Sequence, residues 1–171
     1  TGSCTCALIL SFKALDFPKN SEVILPGYTC TKVPIAVYLS KLKPVFSDVC
    51  PDMNLDPELL EAAITPKTLA IVPVHLTGRP AKMKEILEIA KQHNLFVLED
   101  AAQAIGAKLD GKRVGSWGDA SALSLHPLKN LHAFGDGGMV TTSDPQIFEM
   151  MLQARNHGLI NREQCGFWSY N

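Results

Sequence analysis

The strongest constraint on the fold is an alternation of short apolar strands with helix-spaced segments. Leu95-Phe-Val-Leu98 is apolar at every position, as expected of a strand buried on both faces. The segment before it, residues 80–93, repeats Met83, Ile86, Leu87 and Ala90 on one helical face, with lysines and glutamates opposite. The same alternation runs along the rest of the chain. Helical spacing covers 4–15, 31–41, 56–63 and 144–155. Strand-like runs cover 22–25, 43–47, 68–72, 121–125 and 138–142. Pro44 near the start of its run points to a sheet edge. Asp56-Pro57 and Asp144-Pro145 are helix starts, each aspartate a candidate N-cap. Strands joined by helices of this length form parallel pairs through crossovers. The expected class is α/β, with three layers (α/β/α) around a mainly parallel, mixed sheet. The glycine-rich stretch 106–119 is expected to form a loop or short hairpin.

At 171 residues the chain is expected to be a single domain. A net charge of -1 excludes the basic field of a nucleic-acid partner. No apolar run approaches the ~20 residues of a membrane helix, so neither a span nor a leader is expected. The five cysteines are odd in number and scattered. They read as reduced thiols of a cytosolic protein, and no metal site is expected from their spacing. Thr1 falls at the start of a motif and Tyr170-Asn171 follows no closing helix, so a fragment of a longer protein is expected.

The chemistry concentrates at strand ends, where open α/β sheets bind ligands. Asp100 follows the apolar strand and Gln103 lies three residues on, so both can face one crevice. Asp100 reads either as a partner for a ring nitrogen or as a helix N-cap. Ser124 ends a strand, and Lys129 comes five residues later, past Pro127. Lys129 is either a solvated loop lysine or a nucleophile whose amine is desolvated. Together, an amine, a buried carboxylate and a strand-end hydroxyl are the parts that pyridoxal 5'-phosphate (PLP) requires. The amine condenses with the cofactor aldehyde, and the carboxylate keeps the pyridine nitrogen protonated. Gly2-Ser3-Cys4-Thr5-Cys6-Ala7 opens the first helix, either as ordinary capping or as an N-terminus offered to a phosphate. Tyr28 follows a strand and could stack on a flat ring; alternatively it is a surface loop aromatic. His75 reads as a hydrogen-bonded structural residue.

These segments resemble, in order and over nearly the whole chain, the PLP-dependent nucleotide-sugar aminotransferases of the DegT/DnrJ/StrS group. Ser3-Cys-Thr5-Cys-Ala-Leu8 is similar to the phosphate cup. Glu99-Asp-Ala-Ala-Gln103 is similar to the pyridine-nitrogen motif, and Ser124-Leu-His-Pro-Leu-Lys129-Asn to the lysine motif. Glu22-Val-Ile-Leu-Pro26, Lys43-Pro-Val-Phe-Ser-Asp48, Pro73-Val-His-Leu-Thr-Gly78, Gly115-Ser-Trp-Gly-Asp119 and Gly135-Asp-Gly-Gly138 match further stretches. The resemblance implies the large domain of fold type I, with a seven-stranded type of sheet and without the C-terminal small domain. It implies Lys129 as the lysine that bonds the cofactor, Asp100 on the pyridine nitrogen and Gln103 beside the ring oxygen. It places Ser124, Cys4 and Thr5 on the phosphate, and Asn171 on the phosphate of a neighbouring subunit, hence a homodimer. The family's ring-stacking aromatic usually comes two residues after Tyr28, where this chain has Cys30. Relatives with histidine in place of the lysine dehydrate their substrates, so Lys129 implies transamination. The implied reaction moves an amino group from an amino acid, glutamate, to a nucleotide-linked keto-sugar. The alternatives are a truncated, inactive chain that self-associates and a PLP lyase acting on amino acids.

Overall fold

The computed structural model describes residues 1–156, 158–160 and 164. Six strands form the main sheet: β1 (Glu22–Pro26), β2 (Lys43–Ser47), β3 (Thr68–Ile71), β4 (Phe96–Asp100), β7 (Ala120–Ser124) and β8 (Gly138–Thr142). Their order is β2-β1-β3-β4-β7-β8. All neighbours are parallel except β7 and β8, which are antiparallel. The sheet is thus mainly parallel and mixed, as expected. Pro44 does lie on an edge strand, where its missing N–H costs no ladder bond. Six of the seven strands implied by the resemblance lie among the described residues.

Side-chain parity assigns the two faces of the sheet. Val23 and Leu25 of β1, Ala70 of β3, Leu98 of β4, and Ala120 and Ala122 of β7 pack with Ala7, Leu8 and Phe12 of α1 (Cys4–Ala14). Val33, Ala36 and Val37 of α2 (Lys32–Leu39) and Met151 of α5 (Pro145–Arg155) join the same cluster. The alternate residues Ile24, Ile71 and Val97 pack with Leu60 of α3 (Pro57–Leu60) and with Met83, Ile86 and Ala90 of α4 (Met83–Gln92). The three layers are therefore α1, α2 and α5 on one face, the sheet, and α3 and α4 on the other.

Local chemistry accounts for the helix ends. Ser3 Oγ accepts from the Cys6 N–H, Asp56 from that of Glu58, and Asp144 from those of Gln146 and Ile147. One connection departs from the helical alternation. β4 reaches its parallel neighbour β7 through residues 101–119, which contain the hairpin of β5 (Lys108–Leu109) and β6 (Lys112–Arg113) instead of a helix. Ala101, Ala104, Val114 and Leu123 form a small apolar cluster under that connection.

Candidate active site

The carboxyl ends of the parallel strands open on a cavity of about 730 Å³. Parity explains which residues reach it. Asp100 shares its face of β4 with Phe96 and Leu98, and Ser124 shares its face of β7 with Ala120 and Ala122. Both therefore emerge beside the N-terminus of α1. The cavity wall includes Cys4, Thr5, Asp100, Gln103, Ser124 and Lys129. Six of the eight candidate residues thus converge, although Cys4 and Lys129 lie far apart along the chain. Tyr28 does not join them. It is 58% exposed on the turn after β1, while Cys30, two residues on, lines the cavity instead. Asn171 lies outside the described residues.

Asp100 is buried and receives one hydrogen bond, from the Ala102 N–H to Oδ1 at 2.9 Å. No helix follows it, so it is not the N-cap of the alternative reading; it closes an Asx turn. Oδ2 has no hydrogen-bond partner among the described residues. Burial raises the Asp100 carboxyl above its usual range, against the Ala102 N–H and the Lys129 charge. The Cys4 thiol is also pushed up by burial; Asp100 adds to that push and Lys129 opposes it. The amine, the carboxylate and the thiol therefore sit within electrostatic reach of one another. Cys4 stays protonated, a wall rather than a nucleophile.

The α1 N-terminus forms another part of the wall. Ser3 satisfies the Cys6 N–H through its side chain and the Ala7 N–H through its carbonyl. The N–H groups of Cys4 and Thr5 have no acceptor among the described residues, and both residues line the cavity. Gly138 lets the chain pass here. A Cβ at that position would overlap the Ser3 carbonyl and stand 2.7 Å from the Cys4 nitrogen. Ser124 Oγ accepts from the His126 N–H at 3.3 Å and keeps its own proton to donate. Gln103 Oε1 accepts from the Thr77 N–H at 2.7 Å, which leaves its NH₂ to donate.

This donor set fits a phosphorylated pyridine. An open, buried carboxylate oxygen suits a protonated ring nitrogen. Two unpaired helix N–H groups and a serine hydroxyl suit a phosphate. Lys129 and Lys32 are the lysines that line the cavity among the described residues.

On the other face of β4 the structure places a residue that sequence reasoning left without a role. Glu99 is fully buried and accepts from the N–H groups of Gly115, Trp117 and Gly118 at 2.6–2.8 Å. It also accepts from His75 Nε2 at 3.0 Å. His75 Nδ1 in turn accepts from the Ala81 N–H, which leaves Nε2 to donate to Glu99. Burial alone would raise the Glu99 carboxyl; the hydrogen bonds from His75, Gly118 and Gly115 outweigh it and hold it below the usual range. The signal in the sequence was the adjacent pair Glu99-Asp100 ending a buried strand, since neighbours on a strand point to opposite faces. His75 is structural, as its sequence context suggests.

A model of the DegT/DnrJ/EryC1/StrS aminotransferase family matches residues 1–171. The chain belongs to that family. Among curated family members it is 46% identical over 157 residues to a UDP-N-acetyl-3-dehydro-alpha-D-glucosamine 3-aminotransferase of Acidithiobacillus ferrooxidans, covering 91% of this chain and 42% of that protein. It is 44% identical over 153 residues to a dTDP-3-amino-3,4,6-trideoxy-alpha-D-glucose transaminase of Streptomyces venezuelae, covering 89% and 40%. The crystal structure of S. venezuelae DesV in complex with a ketimine intermediate superposes with a TM-score of 0.95 at 41% identity, over 99% of this chain and 46% of that one. NtdA of Bacillus subtilis, with bound PMP, gives a TM-score of 0.92 at 32% identity, over 99% and 39%. The fold is therefore the fold type I architecture of the PLP-dependent aminotransferases. The chain spans about 40% of the curated relatives it matches.

Proposed function

We propose that the full-length protein moves an amino group from an amino-acid donor, glutamate, to the keto carbon of a nucleotide-linked sugar, with PLP as cofactor. The reading rests on one observation: Asp100, Ser124, the α1 N-terminus and Lys129 meet in a single cavity. Asp100 would hold the proton on the pyridine nitrogen. Cys4, Thr5 and Ser124 would hold the phosphate through N–H and hydroxyl donors, and Gln103 would donate to the ring oxygen. When bound, PLP supplies an electron sink for charge that develops at the donor's α-carbon. Lys129 Nζ would anchor the cofactor until the donor's amine displaces it, and the freed amine would then carry the proton removed from the donor's α-carbon. The buried walls around Cys4 and Asp100 keep water from that exchange. The names of the relatives, a UDP-sugar aminotransferase and a dTDP-sugar transaminase, support the sugar nucleotide as acceptor.

Two finer statements belong to the same proposal. The active protein is a homodimer; Leu128 and Phe134 stand exposed on the loop that carries Lys129. The reaction takes place in the cytoplasm, a reducing compartment that suits the free thiols of Cys4, Cys6, Cys30 and Cys50. The test is to load the full-length protein with PLP, trap the attachment by reduction, and map it by peptide mass spectrometry. Attachment at Lys129, abolished in Lys129→Ala, is expected, together with amino transfer from glutamate to a nucleotide-linked keto-sugar. Attachment elsewhere, or none, overturns the reading.

A further inference from the structure

The cavity holds one cation that the reading above leaves unused. Lys32 is among its lining residues, exposed, at the first position of α2. It makes no ion pair among the described residues. Its surroundings increase the positive potential there. Thr31 provides no side-chain cap, the first turn of α2 contains no acidic residue, and the helix start carries partial positive charge of its own. The neighbouring wall is apolar: Val33, Ile35 and Leu39 of the same helix line the cavity. The other polar groups are already assigned. On that reading Asp100 would face the ring nitrogen, Lys129 would bond the cofactor, and Ser124 and the α1 N-terminus would take the phosphate. His126 stands 3.7 Å from Asp136. An amine without a partner beside an apolar strip suits a ligand that brings its own anion.

Building on the transaminase reading, we propose that Lys32 binds an anionic group of the substrate, a carboxylate or a diphosphate, on the α2 side of the cavity. Both substrates of the proposed reaction carry such a group. The amino-acid donor has carboxylates, and a nucleotide-linked sugar has a diphosphate. A lysine on a flexible stem meets either as a point charge. Its affinity contribution is electrostatic, so it weakens with salt.

The experiment uses the full-length protein, as parent, Lys32→Ala and Lys32→Arg. Succinate serves as the carboxylate probe, and uridine and thymidine diphosphate as the diphosphate probes. Binding is measured by calorimetry at low and at moderate salt, and steady-state kinetics are run alongside. Lys32→Ala is expected to weaken one probe class about tenfold, with Lys32→Arg restoring it and added salt narrowing the difference. KM for the matching substrate rises while kcat holds. Weaker succinate binding assigns the contact to the donor; weaker diphosphate binding assigns it to the acceptor. Equal affinity of parent and Lys32→Ala for all three probes overturns the proposal. PLP attachment at Lys129 is read separately by mass. If it fails in the parent, the transaminase reading falls; if it holds while the affinities stay equal, only the role of Lys32 falls.

Discussion

On the proposed reading, Asp100 is a residue that is costly without the cofactor and favourable with it. Its carboxylate is buried with one hydrogen bond, and burial raises its pKa. Ionised, it penalises the folded state; the penalty is full above the folded pKa and is relieved as pH falls through it. A cation at Oδ2 removes the same penalty. Asp100→Asn is therefore expected to stabilise the cofactor-free protein at neutral pH by about 1–2 kcal/mol and to weaken PLP binding at least tenfold. Thermal melts with and without PLP check both signs; a lower melting temperature in the cofactor-free variant sinks the argument. At this scale the sequence pointed to much of the cavity wall. Asp100, Gln103, Ser124 and Lys129 were legible because each follows a recognisable strand. Cys30 and Tyr28 could not be separated, because two positions in a turn are equally near a cavity until the backbone sets their directions. Lys32 carried no signal, since a lysine in the first turn of a helix is ordinary in any sequence.

Elements deliver these residues, and the supports of β4 and α1 can be tested one at a time. Glu99 joins the end of β4 to the 115–118 turn and to His75. Its carboxyl lies below the usual 4.5 through the bonds from His75, Gly118 and Gly115, which outweigh burial. It contributes stability that is present above that value and lost as pH falls below it through the folded pKa. Glu99→Ala strands the buried His75 Nε2–H and the part-buried N–H groups of Gly115, Trp117 and Gly118, and is expected to cost about 3 kcal/mol or more. Urea midpoints measured from pH 6 to pH 3 are expected to fall with acid in the parent and to stay flatter in the variant. Gly138→Ala drives a Cβ into the Ser3–Cys4 peptide. The expected loss is about 1–3 kcal/mol of stability, with a larger proportional loss in PLP affinity because the phosphate donors themselves move. Parent-like cofactor affinity in that variant would show that the α1 N-terminus does not hold the phosphate. Helices and strands were legible from apolar spacing. The loop or short hairpin expected over 106–119 is the β5–β6 hairpin; that it would join a parallel pair was not legible, because such a pair is normally joined by a helix.

At the scale of the whole molecule, several large apolar side chains stand exposed on the loop that carries Lys129. Leu128 is 87% exposed, Phe134 is fully exposed and Leu131 is about half exposed, all on the segment between β7 and β8 that carries Lys129. Tyr28 and Tyr38 add large exposed rings after β1 and on α2. A cluster of this kind beside a functional cavity is the composition of an interface core, in which aromatic residues dominate and charged ones are few. Each solvent-exposed ring would contribute about 1.5–3 kcal/mol when covered, so one charge at its centre should be decisive. Phe134→Asp in the full-length protein is expected to shift the mass in light scattering from dimer to monomer. PLP affinity should fall with it, since Lys129 is anchored on the loop that the interface would hold. If the variant remains a dimer with parent-like cofactor binding, the interface lies elsewhere and the exposed loop serves a different surface.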